Sequence, residues 1–261
     1  DTQKPVEKVF FHHLKAVEKL KTGDKVKAVV SGLRYRTACN HTAVHVINAA
    51  LKQVFGETTR QAGSLVTPEK FRFDYTSAKA PSREELAKVE TIAAAAILED
   101  YAVFKMERAL ADAEKFGALT LLGEKYKDPA RFVLINKGGW DDANNRYSLE
   151  LCGGTHIDRL GELMLVKILK DSSISRGVRR IEGAAGPAAV DYLKSLSEIT
   201  EKVSQRLSVS PAELADRVEQ LLAGIKELKT RREQAPRAKD TGNTEVVDLP
   251  NGGKLVTAES A

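Results

Sequence analysis

Two short stretches constrain this chain more than anything else in it. The first is Asn40-His41-Thr42-Ala43-Val44-His45, and the second is Glu150-Leu151-Cys152-Gly153-Gly154-Thr155-His156. Each carries two metal-capable side chains with three residues between them. Three of the five histidines and one of the two cysteines fall in these stretches. HxxxH or CxxxH alone is a weak signal, because two histidines on a polar helix face are usually just solvated. Together, in a chain with so few competing ligands, they read as one site with the nitrogen and sulfur donors that zinc prefers.

The first stretch suits a helix, where residues four apart lie on one face. Asn40 reads as an N-cap and Gly56 as a C-terminal stop. Val44, Ile47, Leu51 and Val54 make an apolar stripe, with His41, His45, Asn48 and Lys52 in a polar stripe beside it. In the second stretch Gly153-Gly154 permits a tight turn. That turn lets Cys152 and His156 converge and exposes N–H groups suited to an anion or a developing oxyanion.

The length of 261 residues suits one sizeable domain and a smaller one. Two cysteines argue against a disulfide scaffold and fit a reducing, cytoplasmic setting. No signal peptide and no membrane-length apolar run is readable, so no membrane partner is expected. A net charge of +5 permits a nucleic-acid partner without requiring one. The chain begins at Asp1 and ends soon after strand-like Lys254-Leu255-Val256-Thr257, which reads as an excised piece of something longer.

Taken in order, Val9–His13 and Lys25–Val30 read as short strands, with His12 and His13 as ordinary residues facing opposite ways. After the histidine helix, 60–66 reads as a strand running to a turn at Pro68. Phe71–Tyr75 alternates as a half-buried strand. Ser82 and Glu85 form a capping box for a helix to about Asp100. Further strands are expected at 103–106, 131–135, 146–151, 164–169 and 178–182, with a short helix at 109–116. The fold class is therefore α+β with a mainly antiparallel sheet and helices. Composition shifts after Gly186-Pro187, where no strand is readable for about fifty residues. Ser210-Pro211-Ala212-Glu213 starts a second long helix. Its Leu214, Val218, Leu221, Ile225 and Leu228 form a seam suited equally to packing on its own domain or to a coiled coil.

These motifs, with Arg60-Gln61-Ala62-Gly63-Ser64-Leu65-Val66, Arg72-Phe73-Asp74 and Gly177-Val178-Arg179-Arg180-Ile181-Glu182, occur in an order that resembles the editing region of alanyl-tRNA synthetases. One departure is Val44, where that family usually has threonine. The resemblance implies the end of a β-barrel at 1–32 and a zinc-binding editing domain at 33–186. It also implies a helical hairpin or coiled coil at 187–236, then a linker and first strand of a C-terminal domain at 237–261.

The implied activity is hydrolysis of seryl- or glycyl-tRNA made in error for alanine. The implied zinc ligands are His41, His45, Cys152 and His156, and Gln61 lies in the amino-acid pocket. The site set is completed by Cys152 and Thr42 in catalytic roles and by Arg176, Arg179 and Arg180 as tRNA-binding groups. The implied partners are tRNA(Ala) and a second copy through the C-terminal region, while ATP belongs to an aminoacylation domain absent from this chain. Threonyl-tRNA synthetase editing domains share HxxxH and CxxxH, but Cys-Gly-Gly-Thr-His and the hairpin favour the alanyl family. A free-standing trans-editing deacylase, or a zinc-stabilised tRNA-binding and dimerisation module without catalysis, stays open.

Overall fold

A computed structural model describes residues 2–6, 9–12, 21–121, 124–140, 142, 145–234 and 244–258. His13, read above as an ordinary residue beside His12, lies outside them. Two compact units separate at Tyr192/Leu193.

The first unit is organised around helix α1, Leu33–Phe55. From Ala38 to Leu51 every residue of α1 is buried except His41, which is partly so. A helix buried almost all round lies in the middle of its domain. It packs against strands on two sides and against helix α2, Arg83–Leu98. One wall is a four-stranded sheet in the order β3-β4-β9-β8, built from Gln61–Val66, Phe71–Thr76, Val178–Ala185 and Val166–Ser175. The second sheet has the order β5-β6-β7, from Ala102–Arg108, Ala130–Asn136 and Arg146–Leu151. All strand pairs among the described residues are antiparallel, as is the isolated hairpin of β1 (Thr2–Val6) and β2 (Val9–His12). The α+β expectation holds.

Alternation decides which side chains face α1. On β4, Phe71, Phe73 and Tyr75 are fully buried on one face, as the sequence alternation predicts. Gly183 sits opposite Phe71 in the register, and a Cβ there would come within 2.3 Å of the Phe71 ring, so only glycine lets the ring lie flat on β9. Strand β6 is buried on both faces. Val133 and Ile135 join the core around α1, while Phe132 and Leu134 join a second core with Leu149 and Leu151. The Ser82–Glu85 capping box starts α2 as expected, and that helix ends at Leu98, near Asp100; a short helix α3, Asp112–Phe116, follows β5.

Two expectations fail. The segment Lys25–Val30 forms no strand, and Val26, Val29 and Val30 are all exposed. Its alternation meets no partner strand among the described residues, and an unpaired strand has no ladder to hold it. Asn40 is not an N-cap either. The helix begins two turns earlier, after Gly32, where the Ser31 hydroxyl accepts from the Leu33 N–H at 3.2 Å. Asn40 is instead a fully buried brace. Its amide nitrogen donates to the Thr67 carbonyl, and its amide oxygen accepts from the Ala185 N–H, each at 2.8 Å.

Helix α4, Pro187–Leu207, begins in the first unit, where Ala188 and Ala189 are buried against Ala184 and Leu165. The second unit holds the rest of α4, a 3-10 turn at Pro211–Glu213, helix α5 at Leu214–Gln234, and a hairpin of β10 (Thr244–Asp248) with β11 (Lys254–Ala258). The expected Ser210–Glu213 capping box is present. The seam residues Val218, Leu221, Ile225 and Leu228 are exposed.

Replacing Asn40 with Ala strands the partly buried Thr67 carbonyl and the buried Ala185 N–H. Each costs about 1–3 kcal/mol when unpaired. Urea unfolding of Asn40→Ala should show a loss of at least about 2 kcal/mol. An unchanged midpoint would show that the brace carries no stability.

Candidate metal centre

Strand β7 delivers the second half of the site. With a period of two, Ser148 and Glu150 face α1 while Leu149 and Leu151 enter the second core. Cys152 continues on the Glu150 side. The chain then turns through Gly153-Gly154 and brings His156 back against α1. His41, His45, Cys152 and His156 offer ligand atoms that all lie within 4.8 Å of one another. Cys152 Sγ is 3.3 Å from His156 Nε2 and 3.5 Å from His41 Nε2. Zinc bonds of about 2.0 Å to nitrogen and about 2.3 Å to sulfur, at a tetrahedral angle, put the two ligand atoms about 3.5 Å apart. These two sulfur–nitrogen separations match the edges of a zinc tetrahedron.

The groups behind the ligands support the same reading. Glu150 Oε2 lies 2.8 Å from His45 Nδ1, off the line of an ideal hydrogen bond, and the buried His45 Nε2 has no partner of its own. A carboxylate on the far nitrogen is the usual support for a metal-bound imidazole. Glu150 is held in turn by the Asn48 amide and the Ser148 hydroxyl, which both donate to Oε1 at 3.0 Å. The Thr42 hydroxyl contacts His156 Nδ1 at 3.2 Å, leaving Nε2 toward the cluster, and accepts from the Ile157 N–H at 3.3 Å. His41 passes so close to the turn that a Cβ on Gly154 would fall 1.8 Å from its Cε1. Gly154 is therefore required for the approach of an imidazole, beyond any need of the turn itself.

Charge is already arranged for a cation. Burial alone would raise the Cys152 thiol, but contacts with His156, His41 and His45 pull its pKa down to about 3. Burial lowers His45, yet the Glu150 carboxylate and the thiolate raise it to about 10. Burial and the His45 charge hold His156 down to about 4, against the pull of Cys152.

His41, His45 and Cys152 lie in the wall of a pocket whose other sides come from the rest of α1, β3 and residues 119–121. Gln61 and Ser64 line it from β3, with the Gln61 amide donating to the Ser64 hydroxyl at 3.1 Å. Lys52 and Arg60 add positive charge, and Leu121 adds an apolar side. The segment before Leu121 is pinned to β7 by the Leu119 N–H on the Leu149 carbonyl and the Leu151 N–H on the Leu119 carbonyl. Thr42 is placed differently from expectation. It is fully buried behind His156 rather than open to the pocket.

The three arginines lie away from this pocket, on β9 and the β8–β9 turn. Arg179 is paired with Asp171, and Arg180 grips both oxygens of Asp74 at 2.7 and 2.9 Å. Arg176 is exposed at the turn. Sequence reasoning passed over Glu150 and Asn48 as site residues. The available signals were the two-residue step from Glu150 to Cys152 and the heptad-like step from His41 to Asn48, which set both on the ligand faces.

Residues 131–182 match a family described as the threonyl and alanyl tRNA synthetase second additional domain. Over 263 aligned residues the chain is 40% identical to the alanine--tRNA ligase of Elusimicrobium minutum, covering 99% of this chain and 30% of that protein. It is 41% identical over 229 residues to that of Carboxydothermus hydrogenoformans, covering 87% of this chain and 25% of the relative. The resemblance to alanyl-tRNA synthetases holds along nearly the whole chain. It is 37% identical over 241 residues to the alanine--tRNA ligase of Thermus thermophilus, covering 92% of this chain. The chain spans less than a third of the length of these alanyl-tRNA synthetases, since the shares covered are 30%, 25% and 27%. The match to the second additional domain includes Cys152 and His156 but begins long after the helix that carries His41 and His45.

Two outcomes follow from this geometry. Gly154→Ala should weaken zinc binding at least about tenfold, with the fold retained, because His41 must leave its place. Competition with a chelating dye measures it, and unchanged affinity would contradict the packing. Because His45 carries a raised pKa in the metal-free protein, a proton must leave before its nitrogen can bind metal. Zinc affinity should therefore weaken about tenfold for each pH unit lowered near neutrality. A flat profile would show that His45 gives up no proton when metal binds.

Proposed function

We propose that this chain hydrolyses the ester linking serine, and glycine, to a tRNA for alanine, with zinc held by His41, His45, Cys152 and His156. The observation that carries the reading is the four-residue cluster, three of whose members, His41, His45 and Cys152, line a pocket that also holds Gln61 and Ser64. The names of the relatives support the setting in protein synthesis and the tRNA partner. When bound, zinc supplies Lewis acidity toward an ester carbonyl or a water.

The chain's own residues do the positioning. Glu150 and Thr42 fix the orientation of His45 and His156, so both present Nε2 to the cluster. Gln61 and Ser64 form a linked amide and hydroxyl within the pocket. A seryl hydroxyl can join that pair, whereas an alanyl methyl would leave it unmatched. Polar sites of this kind discriminate strongly against a substrate lacking the hydroxyl. Lys52 and Arg60 favour the anionic tRNA end near the pocket, and Arg176 adds an exposed cation on the β8–β9 turn.

In the same reading residues 1–32 close a β-barrel domain, 33–186 form the editing domain, 187–236 a helical hairpin, and 237–261 open a C-terminal domain. The exposed seam on α5 offers a surface for a second copy. The whole acts in the cytoplasm. Among the described residues no helix is long and apolar enough to cross a membrane.

One observation favours a second reading. Four protein ligands make the closed set usual in structural zinc sites. The metal would then fasten a tRNA-binding module that performs no chemistry.

A deacylation assay on seryl-tRNA(Ala), with metal measured on the same sample, separates the two. Cys152→Ala and His45→Ala should each lower turnover at least about a hundredfold while α4 and α5 stay helical. Gln61→Ala should lower the preference for seryl over alanyl ester with zinc content unchanged. Full zinc occupancy with no turnover by the wild-type chain would establish the fastener reading instead.

A further inference from the structure

Beyond the ligands and their partners on α1, we infer that Arg131 is a positioning residue for the zinc-binding turn. It stands at the start of β6, outside both ligand motifs. The ladder between β6 and β7 ends there. Phe132 pairs with Leu151, and the last bond is the Cys152 N–H on the Arg131 carbonyl at 3.0 Å. Gly153, Gly154 and Thr155 run past the end of β6 with no strand to pair with among the described residues. Two consecutive glycines give this turn wide backbone freedom, and ordering it costs more backbone entropy than ordering other residue types.

The Arg131 side chain reaches into that gap. Its Nη1 donates to the Cys152 carbonyl at 3.1 Å and also to the Gly154 carbonyl. One nitrogen thereby binds two carbonyls of the same turn and fixes its curvature. A carbonyl bonded to a guanidinium makes a charge-assisted hydrogen bond, stronger than a neutral one. The Gly154 N–H in turn points at Cys152 Sγ at 3.4 Å. That same Gly154 packs against His41. A turn held by Arg131 therefore sets three things together: the place of the thiolate, the donor that faces it, and the clearance for His41. His156 follows four residues after Cys152, so its return to the cluster depends on the same curvature.

The clamp is geometric and does not depend on the proposed hydrolysis; its consequence for metal rests on the zinc reading. Two measurements on the full chain keep these apart. First, zinc affinity is compared among wild type, Arg131→Ala and Arg131→Lys by chelator competition, with cobalt spectra reporting tetrahedral geometry and thermal melts reporting the fold. Loss of a supporting group outside the ligand set typically costs about 10–100-fold in metal affinity. Arg131→Ala should lose that much while remaining folded, and Arg131→Lys, with an ammonium able to reach the same carbonyls, should recover part of it. Second, amide hydrogen exchange is followed in the metal-free proteins. The Gly154 and Cys152 amides should exchange faster in Arg131→Ala than in wild type, while the central β6–β7 amides stay protected.

Wild-type zinc affinity together with wild-type exchange in Arg131→Ala would overturn the assignment. So would a variant that loses zinc only because the whole unit melts, since that marks a general structural role. If wild type itself takes up no zinc, the metal reading fails, and the exchange measurement alone decides whether Arg131 holds the turn.

Discussion

The structure depends on how α1 docks against the end of β7. That contact carries a buried polar network. Glu150, itself buried, binds His45 and Asn48 from the helix and Ser148 from its own strand. Thr42 answers from the helix side by bonding His156 and Ile157. A buried carboxylate is costly unless neighbouring donors and charges meet it. Here Glu150 stays ionised despite burial because His45, Asn48 and Ser148 face it, and its pKa is lowered on balance. The interface is specific for that reason. Sliding α1 by one turn would leave several buried polar groups unmatched at once.

The two sheets provide the frame for this contact. β4 and β9 cover one side of α1 with Phe71, Phe73, Tyr75 and Ile181. β6, buried on both faces, joins that core to the one behind β7. The Asn40 brace ties α1 to the end of β3 and to β9. Rigid elements thus hold the helix histidines, and a short turn carries the other pair. The residues that shape the turn are glycine at 154 and arginine at 131, and neither is a ligand.

Much of the fold was legible because its elements bury one face at a regular period. The β4 alternation, the β6–β7 pair and the Ser82 cap all carry local signals that survive in the structure. What was not legible depended on neighbours brought from elsewhere in the chain. Asn40 looks like a cap in isolation, and only the approach of Thr67 and Ala185 makes it a mid-helix brace. Lys25–Val30 alternates like a strand but gains no partner. Thr42 looks like a free hydroxyl until His156 folds onto it. The four candidate ligands stood out because histidine and cysteine are scarce here. Glu150 and Arg131 did not, because acidic and basic residues are common and only pairing reveals their use.

The most direct test of the central claim, that one ion joins α1 to the Cys-Gly-Gly turn, is X-ray absorption at the zinc edge on protein loaded with one equivalent of metal. The account predicts a shell of one sulfur at about 2.3 Å and nitrogens at about 2.0 Å, with imidazole scattering beyond it. A shell of oxygen alone, or one without sulfur, would contradict it.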